Sequence, residues 1–333
     1  MNAFAAWRAG ARRVNRAPAL LVGVWALTLL VSLPLTIALR GMLEQHLGRS
    51  LAADTAASGV NSDWMQEFSD QATGLGVTFR PTVIGAGAVL DNLSAFLDDT
   101  TRPVVIVGAA SAYVVLWIFV AGGLIDRYAR DRATRAHGFF AASGVFFFRF
   151  LQLALVQWIV YAVVFGVVHP WLFDTIYGRL IHDVSVETTA FAYRAALYVV
   201  FGALVAACTV VFDYAKVRAV VEDRRGVPGA IAGALRFIQR NAGAAALLFL
   251  ANFAAFLIVV GAYIAVAPGA SGAGVSMWIA FAIGQLYVIA RLWVKLTCWA
   301  SEAALFQGRF AHAGYVARRE ETWPESPAAE AIL

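Results

Sequence analysis

Six apolar runs set the organisation of this chain, at residues 17–39, 103–125, 151–173, 191–212, 242–267 and 275–297. Each exceeds the roughly 20 residues that an α-helix needs to cross about 30 Å of hydrocarbon. None alternates with the period of two that marks the strands of an outer-membrane barrel. The pattern predicts an all-α polytopic membrane helix bundle, with six transmembrane helices arranged as three helical hairpins. Residues 1–307 form one membrane domain, and 308–333 form a polar, flexible cytoplasmic tail. The first run follows Arg8, Arg12, Arg13 and Arg16 and is too long for the apolar region of a signal peptide, so it reads as an uncleaved anchor bent at Pro34. The glycine- and proline-rich PGASGAG before the last run only reverses the chain.

The sizeable segment outside the spans is 40–102. Val83, Ala86, Leu90, Leu93 and Leu97 recur there at helical spacing behind a Pro81-Thr82 start, and Trp64, Met65 and Phe68 predict a shorter helix before it. Acidic residues outnumber basic ones in this stretch. It is expected to lie on the spans or the outer membrane surface as two amphipathic helices, or to act as a lid or docking surface for a partner.

A second pattern overlies the first. Tyr128, Ala129, Arg130, Arg132 and Ala133 align without gaps on Tyr214, Ala215, Lys216, Arg218 and Ala219. Gly138, Phe140, Ala141, Phe146 and Arg149 then align on Gly229, Ile231, Ala232, Phe237 and Arg240. A fainter echo, FAAWRAGARR, opens the chain. The predicted unit is a basic amphipathic helix, a span out, a span back and a basic exit. In GAIAGALRFIQR, Ile231, Ala234 or Leu235, and Ile238 share a face bordered by Arg236 and Arg240. Such a helix lies in the interface, with its apolar side in acyl chains and its arginines at anionic headgroups. The interfacial basic residues expected from both copies are Arg130, Arg149, Lys216, Arg218, Arg236 and Arg240.

Composition agrees with a membrane protein: 61% of the 333 residues are hydrophobic, 14% are charged, and mean hydropathy is +0.70. The net charge of +5 belongs to residues beside apolar spans, which indicates membrane orientation rather than nucleic-acid binding. Of 26 basic residues, all but Arg40, Arg49, Arg80, Arg102, Arg179 and Arg194 fall on the side holding both termini. The positive-inside rule places that side in the cytoplasm, and the compact loops suggest a bacterial inner membrane.

Charged residues inside hydrocarbon cost about 2.5–3.5 kcal/mol each on insertion scales, so those near the spans are candidate functional groups. Arg291 and Lys295 share a face of the sixth span, while Asp126 and Asp213 close the second and fourth. These four are expected to form a charge cluster at the cytoplasmic end, with at least one acid beside Arg291 or Lys295. The competing expectation is that both cations snorkel to the headgroups. Gln157, Asn252 and Gln285 lie within spans, suited to interhelical hydrogen bonds or, less simply, a substrate path. Cys208 and Cys298 sit in or at the end of spans and indicate neither a disulfide nor a cysteine metal site. His169, His182, Asp183, Asp174 and Glu187 match no strong metal-ligand spacing. The sequence carries no H-E-x-x-H, G-x-S-x-G, P-loop or dinucleotide fingerprint. Neither a catalytic residue nor a cofactor or metal site is therefore expected.

The six-span plan, with YAKVRA at 214–219 followed by GAIAGALRFIQRN, resembles bacterial polytopic families of uncharacterised function. These are the YciC-like proteins and the membrane domain attached to some glycerophosphodiester phosphodiesterases. The catalytic domain of those phosphodiesterases has no counterpart here, so the resemblance implies a fold and no activity. Two functional readings follow. One is a non-catalytic membrane subunit, scaffold or assembly factor, which partners the bilayer, anionic headgroups and either another membrane protein or its own copies. The other is a transporter or lipid-handling permease, favoured by internal repeats.

Overall fold

The computed structural model describes residues 1–309 except 49, 60, 81, 83–84, 101–103, 224–225 and 270–273. The helix start at Pro81, Val83 of the expected apolar stripe, the middle of PGASGAG and the tail from 310 onward lie outside the described residues. Twelve α-helices are present among the described residues. In order they are α1 (Ala3–Asn15), α2 (Pro18–Leu47), α3 (Ala53–Ser58), α4 (Ser62–Gln71), α5 (Ala86–Leu97) and α6 (Val107–Arg130), then α7 (Ala136–Val163), α8 (Tyr177–Ile181), α9 (Glu187–Val221), α10 (Val227–Arg240), α11 (Ala242–Val266) and α12 (Val275–Arg309). Two π-helical turns, Val164–Val168 and Trp171–Ile176, join α7 to α8 around Pro170 as one long helix. Six helices are long and apolar enough to cross a membrane, and the protein is a multi-pass all-α bundle.

Most of these helices outrun the apolar segments that announce them. α9 and α12 each have 35 residues, about 52 Å at 1.5 Å per residue, well beyond a hydrocarbon layer of about 30 Å. The extra turns, together with the ends of the spans that lead into them, build the core. Its large members are Trp117, Leu124 and Tyr128 of α6, Tyr214 and Val217 of α9, and Leu296, Trp299 and Phe306 of α12. All lie toward the end of the bundle that carries the basic residues. Farther along, the spans turn large side chains outward: Leu30, Ile37, Trp158, Val199, Ile258 and Trp278 are all exposed. Apolar surface at that level is satisfied by lipid rather than by protein.

α1 completes the basic end. Ala3, Ala6, Gly10 and Val14 are buried along one stripe, and they run antiparallel down α12. Trp293 Nε1 donates to Asn15 Oδ1 at 2.7 Å, Gly10 abuts Ser301, and Met1 meets Gly308. Close helix approach recurs between α6 and α7, where a Cβ on Gly123 would lie 2.5 Å from Ser143 Oγ and 2.8 Å from the Phe139 carbonyl oxygen.

The opposite end is held by the segment between α2 and α6. Trp64, Met65 and Phe68 of α4 pack against the outward extension of α2, with Trp64 Nε1 donating to His46 Nδ1 at 3.0 Å. α5 presents Leu90 and Leu93 to the exterior, so its apolar stripe is not laid on the spans. Its two ends are what tie it down. Gly85, at φ 61°, abuts Pro268 beyond α11. At the other end His169 Nε2 bonds the Leu97 carbonyl at 2.8 Å, and Asp98 takes Arg194 Nη2 at 3.1 Å and the Tyr198 hydroxyl.

That clasp is expected to respond to pH. The hydrogen bond from Tyr198, and then those from Ser94 and Arg194, hold the Asp98 carboxyl below its ordinary 3.8 against the opposing effect of burial. A depressed folded-state pKa contributes stability above the unfolded value, and that stability is lost as pH falls through the folded one. Amides of α5 are therefore expected to stay protected from hydrogen exchange near neutral pH and to lose protection below about pH 3.8. Asp98→Asn should show the loss already at neutral pH. Equal protection in both proteins at both acidities would remove the clasp as the cause.

Candidate functional site

Charged and polar groups of the basic end converge where α6, α9 and α12 leave the bilayer. Asp213 lies one residue before the buried Tyr214 on α9, and its Oδ1 accepts from Lys216 Nζ at 2.9 Å, one helical turn along. On α6, Asp126 Oδ1 accepts from Arg130 Nε at the same 2.9 Å, two residues from the buried Tyr128. Both acids thus take a cation from their own helix, at i+3 or i+4. Lys295 of α12 stands instead over aromatic faces, its Nζ 4.0 Å from the Trp117 ring centre and 5.5 Å from that of Trp299. Asp213 is near enough for its charge to act on that ammonium, as is Arg291. Arg291 itself is exposed one turn farther toward the lipid. Asp213 and Lys295 therefore share one neighbourhood across α9 and α12, with the direct ion pair going to Lys216.

α12 adds two groups to this neighbourhood that the apolar pattern does not announce. Cys298 and Glu302 are one turn apart on the Lys295 face, with Sγ and Oε1 3.6 Å apart. One ligand-capable atom each from Asp213, Cys298 and Glu302 lies within 4.8 Å of the other two. Glu302 is 4% exposed, and its Oε2 has no hydrogen-bond partner among the described residues. The Tyr214 hydroxyl, equally buried and unpartnered, feels the charges of all three. Cys298 is thus no isolated thiol, as its place at the end of a span suggests, but stands between two acids. The histidines lie elsewhere: His169 is engaged by Leu97, and His182 pairs with the adjacent Asp183 in solvent.

The six basic residues expected at the interface divide into two groups. Arg130 and Lys216 are held as described, Arg149 Nη1 pairs with Asp223 Oδ1 at 2.5 Å, and Arg218 Nε pairs with Glu222 Oε2 at 2.7 Å. All four have side chains at most 20% exposed, which corrects the expectation that they face headgroups. Of the six, Arg236 and Arg240 alone are open to the surroundings. The apolar face of α10 is corrected in the same way. Ala230, Gly233, Ala234 and Phe237 are buried against α9 and α12 rather than immersed in acyl chains. In the first copy the equivalent stretch is not a separate helix at all, since it forms the opening turns of α7.

A related arrangement ends both copies. Asp131 after α6 and Asp223 after α9 adopt left-handed backbone, φ 50° and 49°, which terminates each helix. Asp131 then meets Arg13 of α1 and Arg16, just past its end, at 3.9 and 3.8 Å, as Asp223 meets Arg149 of α7. Burial draws the Arg13 guanidinium down from its ordinary value, with Asp131 acting in the other direction.

The polar residues within spans join helices. Trp25 Nε1 of α2 donates to Gln285 Oε1 of α12 at 3.0 Å, and Asn252 Nδ2 of α11 donates to Ser301 Oγ at 3.2 Å. Gln157 bonds Tyr161, whose hydroxyl reaches Thr209 of α9 at 2.8 Å. No family model, curated protein or solved structure matches this chain.

Proposed function

We propose that the protein is a non-catalytic integral membrane subunit, scaffold or assembly factor of a larger membrane complex. We place it in a bacterial inner membrane, with the basic end and both termini in the cytoplasm. The observation that carries this reading is the distribution of packing. A dense core of α1, α6, α9, α10 and α12 occupies the basic end, while the spans beyond it leave broad apolar faces for lipid or partner helices. Gln157, Asn252 and Gln285 are spent on hydrogen bonds within and between helices, which supports a structural use over a substrate path. The aligned Tyr128 and Tyr214, both buried at the basic end, support an internal repeat. Exposed Arg236 and Arg240 are the residues left to meet anionic headgroups.

One observation favours a lipid-handling permease as the second reading: the π-helical turns around Pro170 interrupt the α-helical ladder of one span. Native mass spectrometry after gentle detergent extraction separates the two. A stoichiometric protein partner is the expected result. A lone chain or homo-oligomer carrying phospholipid would overturn it in favour of lipid handling.

A further inference from the structure

We propose that Asp213, Cys298 and Glu302 bind a divalent transition-metal ion, with Zn²⁺ the best match, which clamps α9 to α12 where both helices leave the membrane. The donor set of one thiolate and two carboxylates suits zinc, whose Zn–S and Zn–O bonds of about 2.3 and 2.0–2.2 Å set tetrahedral S···O separations near 3.5 Å. Cys298 Sγ and Glu302 Oε1 already stand 3.6 Å apart. Two ligands four residues apart on one helix face, with a third from the neighbouring helix, form the usual geometry of a helix-crossing site. Asp213 gives Oδ1 to Lys216 and keeps a second oxygen for the metal.

Two independent features point at a ligand. Glu302 Oε2, within the cluster, and the hydroxyl of Tyr214, the residue after Asp213 on α9, are both buried and both without a hydrogen-bond partner among the described residues. Buried polar groups left without a partner are unfavourable, and a charged carboxylate more so. A cation at their centre satisfies the carboxylate directly. Charge also balances closely. Three ionised ligands against the ammoniums of Lys216 and Lys295 leave one net negative charge, and a divalent ion turns that into one positive charge at a cytoplasm-facing edge. On binding, the thiol proton of Cys298 and any proton on Glu302 leave to solvent.

The test uses the full chain in detergent, stripped with chelator, reloaded with Zn²⁺ and washed, with metal counted by inductively coupled plasma mass spectrometry. One Zn²⁺ per chain is expected. Co²⁺ in its place should give a near-ultraviolet thiolate-to-cobalt band, which Cys298→Ser abolishes and Cys208→Ser leaves intact. Glu302→Gln should weaken affinity at least about tenfold. Substoichiometric zinc, or equal retention by Cys298→Ser and Glu302→Gln, would overturn the site and leave a proton shared among the acids as the reading. Should Cys298→Ser fail to fold, Zn²⁺ is expected to slow maleimide labelling of Cys298 at least about tenfold in the Cys208→Ser background. Labelling at an unchanged rate would equally refute it.

Discussion

Gly10→Leu is expected to detach α1 from α12 and to lower the melting temperature of the detergent-solubilised protein sharply. Even a single Cβ at this position would lie 2.6 Å from Ser301 N, 2.7 Å from its Cα and 2.7 Å from its Cβ. Those atoms are backbone or anchored directly to it, so no rotamer change opens space. Overpacking of this kind costs about 1–3 kcal/mol where the structure yields slightly. Here the simplest relief is for the whole helix to lift away. That would also break the Trp293–Asn15 and Arg13–Gln307 hydrogen bonds and draw Arg13 and Arg16 from Asp131. The effect should be graded, with Gly10→Ala milder than Gly10→Leu. Gly144 serves as the control, because a Cβ added there would meet nothing within 4 Å, and Gly144→Ala should melt no lower than the parent. A Gly10→Leu protein melting like the parent would mean that α1 is not part of the folded core.

How much of this is readable from sequence depends on which solvent each residue meets. The six spans are legible because hydrocarbon imposes one rule on every residue within it. Past the bilayer that rule lapses. KLTCWASEAALFQGR reads as a span giving way to a polar tail, yet Leu296, Trp299, Ala303 and Phe306 recur at helical spacing and are buried. The missing quantity is the partners: Trp117 of α6 meets Trp299, Phe237 of α10 meets Phe306, and α1 closes the opposite side at Ser301 and Gly308, none of which anything local in α12 announces. Glu302 escapes notice for the same reason, as it lies five residues beyond the last residue of the apolar run. Its spacing of seven from Lys295 and four from Cys298 is the signal that identifies it. The charge cluster is half legible. Asp126 and Asp213 stand where two helices leave hydrocarbon, but nearby cations at i+3 or i+4 hold them in place of Arg291. Local helical geometry wins because those pairs need no second helix to form. In α10 the periodicity is correctly visible but does not distinguish lipid from protein as the thing it faces.

The same helix gives the second large effect. Phe237→Ala is expected to cost about 3–5 kcal/mol, the range for truncating a buried phenylalanine, and to release α10 selectively. The ring is 1% exposed and sits 5.0 Å from both Tyr214 and Phe306, so it joins α10 to α9 and α12 at once. The rest of the buried face is Ala230, Gly233 and Ala234, with the Arg218 guanidinium lying over Gly233. Small residues permit close approach but contribute little area, which leaves Phe237 as the anchor. With 14 residues, α10 is near the length below which an isolated helix is marginal. Losing its anchor should therefore expose it to hydrogen exchange and proteolysis before the spans are affected. Phe237→Leu should retain most protection, and Leu235→Ala, altering an exposed side chain of the same helix, should retain all of it. Phe146, the aligned residue, supplies the contrast. It is buried too, but it belongs to α7, which continues unbroken into a span. Phe146→Ala should thus lower global stability without releasing a segment. If both variants release their local helix equally, continuity with the span is not what holds the first copy in place.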